Sequence, residues 1–306
     1  MRIVHVDTGP SLRGGQVQLL KLLAGLEARG HSQTLLARGE VLRRWSGEAP
    51  ALINLLRAAN GADLVHAHDA RGHTLAAIAC WGLPIVVSRR VAFPVKRGML
   101  SRWKYGRAAH YIAVSEHVRS RLTEAGIPRS AITVVYDGVD PGALPSHPMS
   151  TAARQLTSLK IVTPATPDAL KGGELSREVE RRSGTPLIRS SDLESDLAQA
   201  DLFLYLSESE GLGSAILLAM ARGVPVVASD VGGIPEIVEH EATGLLVEND
   251  PGAVSAALER LAAEPALAAH CVQNARRQVE ERFGEDRMVR RTELVYRAVL
   301  GGEKPA

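Results

Sequence analysis

Residues 202–228 read LFLYLSESEGLGSAILLAMARGVPVVA. Leu202 to Leu206 is an apolar run of strand length. A turn rich in Ser, Glu and Gly follows, then a helical apolar pattern over Ala215 to Arg222, then a second apolar run from Val224 to Ala228. A strand, a helix and a strand joined by short turns make a parallel crossover unit, whose strands are buried on both faces and so read as continuous apolar stretches. This unit predicts an α/β architecture built on parallel sheets.

The same alternation runs outward in both directions. Toward the N-terminus, strands are expected at residues 2–7, 34–37, 63–66, 84–88, 111–114 and 132–135. Helical patterns stand between them, the first ending at Gly30 and others near 51–59, 74–81 and 116–125. In the second half, strands are expected at 159–163, 186–189 and 244–247, with helices at 174–182, 193–200, 253–262, 267–283 and 286–300. Pro141 to Pro148, PGALPSHP, is the composition of a linker. The 306 residues suit two cores of about 150 residues better than one. The expected organisation is one domain over 1–145, a second over 155–285, and a terminal helix over 286–306 that returns to the first.

Composition narrows the classes. Apolar residues are 45% and charged residues 23%, so the chain is globular and neither disordered nor fibrous. Aromatics are only 4%, which argues against a module that stacks sugars on aromatic platforms. Cys80 and Cys271 form no metal or redox spacing and read as buried thiols in a reducing compartment. The start, MRIVHVDTG, reads as strand and turn and not as a signal peptide, and the apolar run Leu75 to Val87 is too short to span a bilayer. The expected location is the cytoplasm, at most peripheral on the inner face of a membrane. Lys and Arg outnumber Asp and Glu 19 to 10 over residues 1–150 and are outnumbered 17 to 24 over the rest. A basic first half suits an anionic partner, a phosphorylated acceptor or a membrane surface. No base-reading motif is present, so nucleic acid is not expected.

Candidate chemistry concentrates at Ser207–Ser214, SESEGLGS. Gly211 and Gly213 let the backbone approach a ligand, Ser214 is placed to cap the helix, and free N–H groups at a helix start favour phosphate. Glu210 adds a carboxylate suited to paired sugar hydroxyls; the competing reading is an ordinary turn with a solvated glutamate. Lys171 beside Gly172-Gly173 suits a phosphate or is simply an exposed lysine. Gly14-Gly15 opens the first helix as a second phosphate contact or as a plain loop. The first turn, GPSLRGG, is not GxGxxG, and no P-loop occurs, which removes dinucleotide and P-loop readings. His66, His68, Asp69 and His73 line a cleft or satisfy the core; no second ligand group completes a zinc site, so no metal is expected. Between Arg89 and Arg107 stand seven basic residues and no acid, interleaved with Phe93, Met99, Leu100, Trp103 and Tyr105. That segment is a solvated basic face or a site for an anionic acceptor or lipid headgroups.

On these residues the chain resembles the family-four retaining glycosyltransferases of the GT-B fold. The matching pieces are Gly14-Gly15, DLVHAHD (63–69), IAVSEHV (112–118), VVYDGVD (134–140), LKGG (170–173) and, most specifically, 207–247. The resemblance implies two Rossmann-like parallel-sheet lobes facing each other across a cleft. The second lobe would bind a UDP-, GDP- or ADP-linked sugar and the first a glycan or lipid-linked acceptor, in envelope polysaccharide or lipopolysaccharide assembly. By resemblance, Glu210 and Lys171 are the catalytic pair, with no metal or other cofactor. Gly14, Gly15, Ser209, Gly211, Leu212, Gly213, Ser214 and Leu218 fall on the donor side; His68, Arg89 and Arg90 fall on the acceptor side. The family's second glutamate, eight residues after the first, is Leu218 here, and its basic residue shortly before the lysine is missing from residues 163–169. These departures open a second reading, a catalytically weak or inactive GT-B protein acting as a binding or partner subunit. A sugar-nucleotide epimerase of the same fold is the third.

Overall fold

A computed structural model describes residues 1–95, 98–140, 142, 153–165 and 172–301. The chain forms two compact units, one of Met1–Asp137 with the chain from Glu285 onward, the other of Gly138–Gly284. Most of the expected linker, 141 and 143–148, lies outside the described residues.

Unit 1 holds six parallel strands: β1 (Arg2–Val6), β2 (Ser32–Leu36), β3 (Leu64–Ala67), β4 (Ile85–Arg89), β5 (His110–Ala113) and β6 (Ile132–Val134). They are ordered β2-β1-β3-β4-β5-β6. The intervening helices are α1 (Gly14–Ala28), α2 (Gly39–Arg44), α3 (Leu52–Ala59), α4 (Ala70–Ala79), α5 (Met99–Gly106) and α6 (Glu116–Glu124). Helix α1 ends where the sequence puts its stop: the N–H groups of Gly30 and His31 bond back to the carbonyls of Glu27 and Leu26, closing the last turn. Helix α4 starts earlier than its apolar pattern suggests, because the Asp69 carboxylate accepts from the N–H groups of Arg71 and Gly72. Helices α2 and α5 were not expected; α5 buries no residue at all, so it leaves no apolar period to read.

Unit 2 holds five parallel strands: β7 (Ile161–Pro164), β8 (Leu187–Ser190), β9 (Leu202–Tyr205), β10 (Val226–Ser229) and β11 (Leu245–Val247). They are ordered β11-β10-β9-β7-β8. The helices are α7 (Gly173–Ser183), α8 (Leu193–Leu197), α9 (Ser214–Arg222), α10 (Pro251–Ala263) and α11 (Pro265–Arg282). Ile161, Leu202, Leu204 and Val227 of the central strands pack with Val254, Leu258 and Leu261 of α10.

The last helix, α12 (Glu285–Val299), belongs to unit 1. Its Met288, Val289, Val295 and Tyr296 join Ile3, Leu22, Leu26 and Leu64 in one core cluster. Lys21 pairs with Glu285, and Arg29 with Asp286 and Glu293, along the rim of the same contact. At its centre the Tyr296 hydroxyl lies 2.6 Å from His66 Nδ1, both groups fully buried. No helix among the described residues is long and apolar enough to cross a membrane.

Tyr296→Phe keeps the ring and removes this bond, leaving a buried imidazole nitrogen without its partner. Urea denaturation should show a loss of about 1–3 kcal/mol; an unchanged midpoint would mean that the hydroxyl contributes nothing to holding α12.

Candidate functional site

In unit 2 the strand order reverses between β7 and β9, so the connections leaving these neighbours diverge to opposite faces of the sheet. Such a switch point opens a crevice at the carboxyl ends of the strands, where ligands of open α/β sheets bind. Helices α7 and α9 both begin there. Gly172 lies against Leu206 at the exit of β9: a Cβ on Gly172 would stand 2.5 Å from that of Leu206. Lys171, next to it in the chain, lies outside the described residues, as do 166–170.

Glu210 is held from two sides. The Tyr205 hydroxyl donates to Oε2 at 2.6 Å, and the Gly211 N–H donates to Oε1 at 3.0 Å. Burial, and then the neighbouring carboxylate, push the Tyr205 phenol well above its ordinary pKa, so it stays a neutral donor. The Glu210 carbonyl accepts from the Gly233 N–H at 3.2 Å. Gly232 presses so closely on that carbonyl that a Cβ would lie 2.1 Å from its oxygen, so no larger residue fits there without moving the turn. Behind the turn, the Ser207 N–H donates to Ser229 Oγ, Ser229 Oγ to Asn249 Oδ1, and Asn249 Nδ2 to the Ser207 carbonyl. This ring ties the ends of β9, β10 and β11 together. Ser209 contributes its carbonyl, which accepts from the Ser207 hydroxyl.

The expected cap is corrected here. Ser214 is the first residue of α9, and the capping position is Gly213, at φ 91°, with no side-chain cap. The left-handed turn needed to enter the helix falls on the glycine, which moves Ser214 one place too far along to cap it. Gly211, Leu212 and Gly213 are buried, so the Leu212 side chain packs inside and only the backbone can serve a ligand. Along the first two turns of α9, Ser214, Ala215 and Leu218 remain partly exposed while Ile216, Leu217, Ala219 and Met220 are buried. Leu218 therefore lies on the open stripe that begins at the helix N-terminus.

Unit 1 has a switch point of its own, between β1 and β3, and a second polar edge. Asp7 accepts from the Gly9 N–H and from Gln16 Nε2, and Asp69 accepts from the N–H and hydroxyl of Thr8. Gly14 and Gly15 are the first two residues of α1. Arg90 lies over Gly15, where a Cβ would meet its Cδ at 3.2 Å, and is ion-paired with the buried Asp137. Arg89 is turned away, donating to the Tyr105 hydroxyl at 3.2 Å and to the Phe93 carbonyl. Below this edge lie three fully or nearly buried imidazoles. His5 Nδ1 is 3.0 Å from His68 Nε2, and His66 bonds Tyr296 through Nδ1 and Ser88 through Nε2. Their ring nitrogens lie within 4.8 Å of one another, close enough for a metal, but His66 already uses both of its own. His5 had no place in the expected histidine group; it comes from a different strand, and only the β1–β3 pairing brings it to His66.

Glu210, Gly211, Gly213, Ser214 and Leu218 thus share the crevice of unit 2. Gly14, Gly15 and Arg90 share the edge of unit 1, and His68 lies buried beneath it. Sequence reasoning missed Tyr205, Gly232 and Asp137. Tyr205 ends its strand five residues before Glu210, and the Gly pair 232–233 punctuates two apolar runs; these were the available signals.

Residues 12–143 match the sequence profile of Glycosyltransferase Family 4, and residues 185–278 match that of Glycosyl transferases group 1. The chain is 39% identical over 109 residues to N-acetyl-alpha-D-glucosaminyl L-malate synthase of Bacillus anthracis, covering 35% of this chain and 29% of that protein. It is 30% identical over 220 residues to the putative colanic acid biosynthesis glycosyltransferase WcaL of Escherichia coli, covering 57% of this chain and 53% of that one. These alignments span between about a quarter and about half of the relatives' own lengths. Anabaena HepE, solved in complex with UDP and glucose, superposes with a TM-score of 0.82 over 97% of this chain and 100% of that one, at 17% identity. Sucrose-phosphate synthase of Thermosynechococcus elongatus gives 0.76 over 98% and 99%, also at 17% identity. With two parallel-sheet lobes and both profiles matched in order, the chain belongs to the group 1, family-four type of glycosyltransferases of the GT-B fold, related to enzymes of polysaccharide biosynthesis.

Burial lowers the pKa of His5 to about 3, His73 to about 4, and His66, His68 and His110 below the ordinary 6.5. The unfolded chain therefore takes up protons first as pH falls. The stability these groups contribute is complete above pH 6.5 and is lost below it, at up to roughly 1.4 kcal/mol per pH unit for each group. Urea denaturation at pH 7.5 and 5.5 should show a clear loss at the lower pH; equal stability would mean that these imidazoles are charged in the folded state.

Proposed function

We propose that the chain transfers a sugar from a nucleotide-sugar donor to a glycan or lipid-linked acceptor with retention of anomeric configuration, in assembly of an envelope polysaccharide or lipopolysaccharide. The observation that carries this reading is the fixed carboxylate of Glu210 at the switch point of unit 2, beside the N-terminus of α9. A carboxylate offers about four acceptor positions and suits the hydroxyl groups of a sugar. Backbone N–H groups at the starts of α7 and α9 favour the diphosphate through their aligned dipoles. Lys171 stands immediately before Gly172 in sequence and supplies the balancing positive charge. In this scheme the lysine and the helix starts stabilise charge building on the departing nucleoside diphosphate, the work a metal ion does in other transferases. HepE was solved with UDP and with UDP-glucose, which makes uridine diphosphate sugars the first donors to test.

Leu218 favours a second reading, a protein that binds donor weakly and serves as a partner subunit. It occupies the open stripe of α9 where the family carries a glutamate, and it has no hydrogen-bond acceptor.

Glu210→Gln and Lys171→Ala should each lower turnover of the best donor by about ten- to a thousand-fold, the effect of losing one charged group that acts in the transition state. Unchanged turnover in both folded variants would remove the assignment of the site. For Leu218→Glu, calorimetry should show nucleotide binding tightened by at least roughly ten-fold, as one restored charged hydrogen bond implies. Tight wild-type binding that the substitution leaves alone or damages would place ribose recognition elsewhere.

A further inference from the structure

We infer that the layer of helices α3, α4 and α5 in unit 1 docks on an anionic lipid bilayer. Among the described residues, every exposed large apolar side chain except Val17, Ile188, Leu294 and Leu300 lies between residues 52 and 103. Singly scattered apolar residues are normal on a protein surface, whereas a concentration of them marks a contact surface. Helix α3 buries only Leu55 and turns Leu52, Ile53 and Leu56 outward, with Ile53 64% exposed. Helix α5 buries nothing; Met99 and Leu100 are 87% and 83% exposed, beside Trp103. Helix α4 packs against both, and the indole just beyond its end, Trp81, is 68% exposed with the Arg107 guanidinium over its ring. The three helices, with Trp81 just beyond α4, therefore form one contiguous layer that carries most of the exposed large apolar side chains among the described residues.

The charge of this layer selects the partner. Residues 51–109 carry nine Lys and Arg and two acids, Asp63 and Asp69. Arg57 and Arg90 are ion-paired with Glu48 and Asp137, and Lys96 and Arg97 lie outside the described residues, which leaves Arg71, Arg89, Arg102, Lys104 and Arg107 as the layer's described cations. Asp63 and Asp69 are turned to backbone N–H groups, those of Arg2 and of the α4 start. Lys104 and Arg107 donate to neutral oxygens of Ala70, Thr74 and Cys80, so their charge is not cancelled there. Arg102 lines a groove with Gly98, Met99 and Trp103. Cations beside exposed aliphatic and indole side chains match the boundary between headgroups and acyl chains, where apolar groups enter and cations meet lipid phosphate. Two-fold pairing of this face with itself in a second copy is a poor match, because it would set one basic face against another. This inference rests on unit 1 alone and not on the donor site.

The test is sedimentation of the full chain with vesicles of phosphatidylcholine alone and of phosphatidylcholine mixed with phosphatidylglycerol, alongside Ile53→Asp and Leu100→Asp. Nucleotide-induced thermal shift of each variant checks that it is folded and reports on the donor site separately. The wild type should bind only the anionic vesicles, bind less at high salt, and lose several-fold in affinity with either substitution. No binding by the wild type at low salt, or equal binding by both vesicle types, would overturn the proposal. A loss confined to Leu100→Asp would overturn the three-helix face. A wild-type dimer in light scattering that Leu100→Asp dissolves, without vesicle binding, would show an interface between copies instead.

Discussion

The hydrogen bond from the Tyr205 phenol to Glu210 is the constraint on which the site depends. It places a carboxylate at the end of a buried central strand, fixed in direction, where a turn would otherwise leave it to solvent. Holding it needs a phenol that stays protonated, and the burial of Tyr205 secures that. It also needs a turn that cannot drift. The Ser207–Ser229–Asn249 ring anchors one side of that turn and the close approach of Gly232 the other. Preorganisation of this kind lets a group act on a ligand without first reorganising itself. The fold supplies the rest, because the reversal of strand order between β7 and β9 falls at the same carboxyl edge of the sheet as the turn that carries Glu210.

Unit 1 solves a different problem with similar means. Its sheet has buried imidazoles at the carboxyl end, and burial without partners would cost several kcal/mol for such polar groups. Tyr296 and Ser88 answer this for both nitrogens of His66, whereas His5 and His68 bond each other through one nitrogen apiece and His68 Nδ1 stays buried without a partner. Because Tyr296 sits on α12, the last helix is tied to the centre of the first unit by a polar contact as well as by its apolar face. The polar edge above this core, with Arg90 set between Gly15 and Asp137, is braced by the same strands.

The parallel architecture was legible because strands such as β9 and β10 are buried on both faces and leave unbroken apolar runs. The terminal helix was legible from its apolar period. Helix α5 was not, since a helix that buries nothing has no period. The start of α4 was hidden by a cap that is polar, and the role proposed for Ser214 failed because the left-handed turn fell on Gly213. Glu210 was legible as a candidate from its place after a strand, but Tyr205 was not, because its hydroxyl meets the carboxylate only once the turn folds back. His5 likewise joins His66 only through strand pairing. Arg89 and Arg90 are adjacent in sequence yet serve different contacts, one toward Tyr105 and one toward Asp137, which no pattern of residue types distinguishes.

The central claim is that a nucleotide sugar binds at the carboxyl edge of unit 2. Amide hydrogen exchange of the full chain, with and without saturating UDP-, GDP- or ADP-sugars, tests it directly, since ligand binding slows exchange where it touches the backbone. The account predicts protection at Gly172–Glu174 and Glu210–Ile216 with the donor that binds. Protection confined to unit 1, with these segments unchanged, would contradict it.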